Sequence, residues 1–140
     1  MNGKLTQNAI RTHDGVIIGS ISGKYQLGNN SYKGYEVYGG NDYPGLTVPE
    51  EYKDKFERLY IYDNSTFEEK KNLSIWGTYG FTGNEKFKWT KLIDCDDNHL
   101  KNILKHVGIS HSYKDIISSI LMDRKIIKRI EKIKKIIENV

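Results

Sequence analysis

The residues of this chain that are equipped for chemistry fall into three groups, and each meets a plain structural competitor. Gly19-Ser-Ile-Ser-Gly23-Lys24-Tyr25 has the outline of a phosphate-binding loop, but its spacer is one residue short and Tyr25 stands where a magnesium-binding Ser or Thr belongs. Such a loop must also open a helix, so that amides and dipole meet the phosphate; here the neighbouring residues read as strands. Cys95, His99, His106 and His111 carry metal-ligating side chains, with Cys95 and His99 four positions apart. Zinc takes four ligands in a closed site and three plus water in a catalytic one. Cys95 starts a helix and His111 lies beyond Gly108, so neither a metal site nor a cofactor is expected. Asp94, Asp96 and Asp97 would suit acid–base chemistry if buried, yet capping and the helix dipole explain carboxylates at a helix start. No Gly-x-Ser-x-Gly elbow occurs. No catalytic residue is assigned, and the chain reads more as a binder than as an enzyme.

The aromatic content is the better clue. Ten Tyr, two Trp and four Phe, many beside Lys, Gly or Asn, exceed what a small core encloses completely. Gly77 follows Trp76 and leaves an indole face without a neighbouring side chain to cover it. Such rings stack on bases or nucleotides or anchor protein interfaces; they equally cover a thin sheet. The Gly39-Gly40-Asn41-Asp42-Tyr43 bend lets backbone amides approach a partner and adds polar groups that fix orientation. The expected binding residues are therefore Asn41, Asp42, Tyr43, Trp76 and Tyr79, with His99 close beneath.

These residues need a scaffold, and 140 residues make one domain with a real core. The lone Cys95 rules out an internal disulfide and favours a reducing compartment. The N-terminal residues contain no apolar signal-peptide core, and no apolar run approaches the roughly 20 residues that span a bilayer. A cytoplasmic protein without a membrane partner is expected.

Periodicity divides the chain into a β-rich front (residues 8–93), a helix over 94–107 and a long helix over 110–140. The class is α+β, with an antiparallel sheet of about five or six short strands. Residues 8–12 and Val16 to Ser22 read as strands around the His13-Asp14-Gly15 turn. Tyr32 to Tyr38 alternates as a half-buried strand. Leu59 to Tyr62 is a further one, and Pro49 to Phe56 forms one or two helical turns. Leu73, Ile75, Gly77, Tyr79 and Phe81 share one face of a hairpin strand, and Phe87, Trp89, Lys91 and Ile93 share a face of its partner. An Asp among 94, 96 and 97 caps the first helix, whose apolar face is Leu100, Ile103, Leu104 and Val107.

In the long helix Ile116, Ile117, Ile120 and Leu121 form a stripe suited to packing on the sheet. Beyond it Ile126, Ile130, Ile133, Ile137 and Val140 step by four, three, four and three, a heptad seam of about two repeats. The seam packs either on its own domain or on another copy; the helix is long for so small a body, which favours a homo-oligomer. From Arg124 onward seven Lys or Arg stand against Glu131 and Glu138, a local balance of +5, so the net +4 leaves the remainder at −1. A basic helix of this kind is a solvated face or a contact for phosphates.

Trp76-Gly-Thr-Tyr-Gly followed by Lys91-Leu-Ile-Asp-Cys-Asp-Asp-Asn-His99-Leu-Lys-Asn-Ile-Leu104 resembles the C-terminal half of a family of small, functionally uncharacterised bacteriophage proteins. Ile10-Arg-Thr-His-Asp-Gly15 and Val37-Tyr-Gly-Gly-Asn-Asp-Tyr43 resemble that family's front ribbon and its Gly-Gly turn. The likeness runs from about Ile10 to Arg124. Some relatives carry paired cysteines in the ribbon, where Thr12, His13 and Asp14 stand here. The resemblance implies a non-enzymatic accessory protein in the host cytoplasm that neutralises a host immune component, as an anti-CRISPR-like inhibitor or a nucleotide-signal sponge. The alternatives are a nucleic-acid-binding accessory protein using the Lys-rich helix, and a small nucleotide-acting enzyme.

Overall fold

Strand β1 (Leu5–Arg11) is buried on both faces, and a different layer covers each. Side chains alternate across a strand, so Ala9 and Ile10 face opposite ways. Ala9 packs with Leu59, Ile75 and Trp89. Ile10 packs with Ile18, Tyr35 and Val37. The computed structural model that carries these layers describes residues 3–21, 24–25, 30–38, 44–79, 85–106 and 108–140.

The central sheet runs β3-β2-β1-β7 and is antiparallel throughout. β2 (Ile17–Ile21) pairs with β1 from Gln7↔Ile21 to Arg11↔Ile17, and β3 (Lys24–Tyr25) pairs with β2. The other edge of β1 carries β7 (Glu57–Arg58) and then β8 (Ile61–Tyr62). The strand expected at Leu59 to Tyr62 is thus confined to Ile61–Tyr62, with the Leu59 N–H still donating to the Ala9 carbonyl at 2.9 Å.

One face of this sheet is covered by β4 (Ser31–Tyr32), β5 (Tyr35–Tyr38) and β6 (Gly45–Thr47). The single strand expected over Tyr32 to Tyr38 is a tight hairpin instead. Lys33 and Gly34 sit at φ +45° and +90° between Tyr32 and its partner Tyr35. Positive φ at both central residues is the turn whose twist suits a two-residue hairpin. The alternation of Tyr with Lys and Glu runs unbroken through the bend, so hydropathy alone hides it. A 3-10 turn, Glu50–Tyr52, follows Pro49.

The opposite face is covered by a two-stranded ribbon, β9 (Ile75–Thr78) and β10 (Lys88–Lys91). Gln7 ties it down: its Nε2 donates to the carbonyls of Leu59 and Leu73, at 2.9 and 2.7 Å, and its Oε1 accepts from the Ile75 N–H at 3.1 Å. Just before the ribbon stands helix α1 (Phe67–Leu73), started by a capping box. Thr66 Oγ1 accepts from the Glu69 N–H while Glu69 Oε1 accepts from the Thr66 N–H, both at 3.1 Å.

The chain divides into two compact units, Met1–Asp94 and Cys95–Val140. The boundary is where the sequence changes from period two to helical period. The second unit holds α2 (Asp97–Leu104) and the 28-residue α3 (His111–Glu138), which pack on each other. The α+β class with short antiparallel strands holds, with α1 an addition inside the β-rich part.

Candidate functional site

The β9–β10 ribbon presents two unlike faces. Register pairs Gly77 with Trp89 and Trp76 with Thr90, so Gly77, Trp89, Tyr79 and Phe87 belong to one face and Trp76 to the other. A Cβ on Gly77 would collide with the Phe87 ring and lie 3.3 Å from Trp89 Cζ3. The room that glycine leaves is thus filled by Phe87, on the face opposite Trp76. Trp76 is half-buried.

Three rings form a ladder along that face. Trp89 is buried in the core. Phe87 meets it edge-on with centroids 5.0 Å apart, and Tyr79 meets Phe87 edge-on at 5.3 Å. Tyr79 is 50 % exposed. The ladder therefore leads from the core to the surface, and the residues on either side of Phe87 in sequence, Lys86 and Lys88, are exposed.

Asn41, Asp42 and Tyr43, with Gly39 and Gly40, lie outside the described residues. The strands that flank them are anchored from below. Tyr38 pairs with Gly45, and Asn8 Nδ2 donates to the Tyr38 carbonyl at 2.8 Å. Asn8 and Ser20 are cross-strand partners, both buried, and among the described residues Asn8 Oδ1 and Ser20 Oγ have no hydrogen-bond partner. His99 belongs to the second unit. It sits in the first turn of α2, where its N–H donates to Asp96 Oδ1 at 2.8 Å.

The turn joining β1 and β2 carries a cluster of side chains beyond the plain Asp-Gly bend. His13 stacks on Tyr52 with centroids 3.6 Å apart and planes 9° from parallel. Its Nδ1 lies 2.9 Å from the hydroxyl of the fully buried Tyr35. Asp14 accepts from Thr12 Oγ1 and from the Tyr32 hydroxyl at 2.7 Å, and Lys33 Nζ stands 3.9 Å away. The hydrogen bonds from Thr12 and Tyr32 hold the Asp14 carboxyl below its usual range. The hydrogen bond and charge of Tyr32, then Asp14, raise Lys33. Every Asp14 contact is internal, so the cluster's plain chemistry is to lock two hairpins together. Its partners come from 18 to 39 positions away, which no local pattern reveals.

Across the sheet edge Glu57 joins Arg11 to Lys91, whose Nζ is 3.3 Å from Glu57 Oε1. The phosphate-loop outline dissolves here as well. Ser20 and Ile21 pair back onto Tyr25 and Lys24 in a strand ladder, so the lysine stands in a strand where a phosphate loop needs a helix start; Ser22 and Gly23 lie outside the described residues.

In the second unit the Asp residues are engaged by the helices. Asp96 caps α2. Asp97 accepts from Arg124 Nη1 at 2.8 Å, with Lys128 Nζ 3.8 Å away, and the Arg124 contact lowers its carboxyl. Among the described residues no three His, Cys, Asp or Glu side chains converge as metal ligands.

Helix α3 carries two distinct apolar faces. Ile116, Ile117 and Ile120 are buried. At 3.6 residues per turn, the Ile126, Ile130, Ile133 and Ile137 seam is rotated from them by about 120°. The continuation of the buried face carries Arg124, Glu131 and Glu138. The seam is thus a second face of the helix, and its four isoleucines are 47 to 67 % exposed. Away from it runs a groove lined by Lys125, Lys128, Arg129, Glu131, Lys132 and Lys135.

No helix among the described residues is long and apolar enough to cross a membrane. No protein-family model, curated protein or solved structure matches this chain.

Proposed function

We propose that this protein is a non-catalytic accessory protein that acts by stoichiometric binding, holding its partner at the open end of the β9–β10 ribbon and joining copies of itself through α3. The observation that carries the reading is the ladder from buried Trp89 through Phe87 to half-exposed Tyr79. Rings anchored in a core lose little freedom on binding and offer large, flat contact area. The bacteriophage resemblance directs this surface to a host immune component, either a defence protein or a nucleotide-derived signal. A Tyr face serves both, by packing into a protein pocket or by stacking on a base.

The test is a pull-down from bacterial host lysate, paired with mass spectrometry of small molecules released on denaturing the purified protein. Wild type should retain one species at a fixed molar ratio. Tyr79→Ala should lose it with an unchanged melting temperature, since half of that ring is already in solvent. Retention by Tyr79→Ala as strong as by wild type overturns the placement, and turnover of the captured molecule overturns the non-catalytic reading.

The basic groove of α3 favours a second reading, a nucleic-acid accessory protein. Phosphate contacts release counterions, so binding would weaken steeply with salt. Lys128→Glu with Lys132→Glu would then abolish capture while Tyr79→Ala spares it.

A further inference from the structure

The seam on α3 runs over residues that make no other use of it. Ile126, Ile130, Ile133 and Ile137 sit at alternating d and a positions, and the adjoining Ile127 and Ile136 are 54 and 65 % exposed. A pair of such helices would cover roughly 1,000 Å² in all, the lower limit for a specific interface. A contiguous apolar stripe of this size on a lone helix is unusual for a monomer.

The flanking residues decide how a second copy lies on it. Position e holds Ile127 and Lys134, position g holds Arg129 and Ile136, and the a position one heptad before Ile130 holds Asp123. In a parallel pair each g residue meets the partner's next e residue. Arg129 would then face Lys134 twice over, and the two Asp123 carboxylates would meet across the seam. In an antiparallel pair e meets e and g meets g. The register that uses all four seam isoleucines sets Ile126 against Ile137 and Ile130 against Ile133. Lys134 then lies along Ile127 and Arg129 along Ile136, with their apolar stems covering isoleucine and their charges reaching water. Every like-charge pair of the parallel form is removed.

We infer that the occupant of the α3 seam is a second copy of this chain, laid antiparallel across a two-fold axis between Ile130 and Ile133. This rests on the self-association in the functional reading above and adds its geometry. Such a pairing is closed by symmetry and stops at two. It also leaves the Lys125, Lys128 and Lys132 faces of both helices outward.

Cysteine pairing tests it on the full-length protein, whose own Cys95 is buried. Ile126→Cys and Ile137→Cys are prepared separately, mixed and oxidised. The mixture should give at least tenfold more covalent dimer than either variant alone. Efficient cross-linking of each variant with itself means a parallel pair, which overturns the geometry but leaves self-association standing. A wild-type mass of one chain by light scattering overturns both. Because cysteine weakens the seam, Arg129→Glu gives a second measurement by analytical ultracentrifugation. A parallel pair gains two attractive contacts to Lys134 and tightens at least tenfold; the antiparallel pair shows no tightening.

Discussion

Phe87 occupies the space that the missing side chain of Gly77 leaves, with Trp89 Cζ3 3.3 Å from where a Cβ would stand. Gly77→Ala must therefore push Phe87 off the strand and break its edge contacts with Trp89 and Tyr79. Overpacking of this kind costs about 1–3 kcal/mol. The expected outcome is a lower urea midpoint with an unchanged slope. In a Phe87→Ala background the same change should cost less than half as much; an equal cost would place the strain in the backbone.

How far the sequence reaches is clear from β1 and α1. The Val, Ile and Tyr runs locate strands, and the class follows from them. Alternation within Leu5–Arg11 does not say that both faces are buried, because polar Gln7 and Asn8 stand in the core and are tied to backbone carbonyls 30 to 66 positions away. Helix α1 did have a local signal, since Thr66-Phe-Glu-Glu69 is a capping-box spelling. The Lys33-Gly34 bend had only its glycine. Of the candidate binding residues, the exposure of Tyr79 was legible as an aromatic in a Gly-rich stretch. The filling of the gap at Gly77 was not, because it depends on Phe87 reaching across from the opposite strand. The second face of α3 was written in the sequence all along, as a change of phase between Ile120 and Ile126.

Gln7 is the joint between the central sheet and the ribbon. Gln7→Leu keeps the volume but removes the donor shared by the Leu59 and Leu73 carbonyls. Buried acceptors left without a donor should make the change cost about 2–4 kcal/mol by chemical unfolding. Gln7→Glu should be no better at neutral pH, because a carboxylate cannot donate to either carbonyl. A Gln7→Glu variant as stable as wild type would show that the joint is held by shape alone.

Acid should weaken the β body partly through Glu57. Burial works to raise its carboxyl, but hydrogen bonds from Arg11 and Lys91 and their charges outweigh this and leave it below the ordinary 4.5. A carboxyl lowered on folding stabilises fully above its unfolded value, and the contribution is lost as pH falls through the folded value. Wild type should thus exceed Glu57→Gln in stability at pH 7, with the gap closing below about pH 4. A gap constant from pH 7 to pH 3 would mean that the Arg11 and Lys91 contacts do not favour the ionised form.

The last expectation concerns concentration. Beyond Arg124 every residue of α3 is exposed, so the seam adds nothing to burial within one chain and its stabilising effect must come from association. An equilibrium between folded dimer and unfolded chains makes the melting temperature rise with protein concentration. Wild type should show that rise over a hundredfold dilution series. Ile130→Glu puts a charge at the centre of the seam and should abolish it, while at the lowest concentration the two proteins melt together. Ile116→Glu, on the buried face of the same helix, should instead lower melting at every concentration. If Ile130→Glu destabilises the most dilute sample as much as the most concentrated, the seam serves its own chain, and both the dimer and its antiparallel geometry fall.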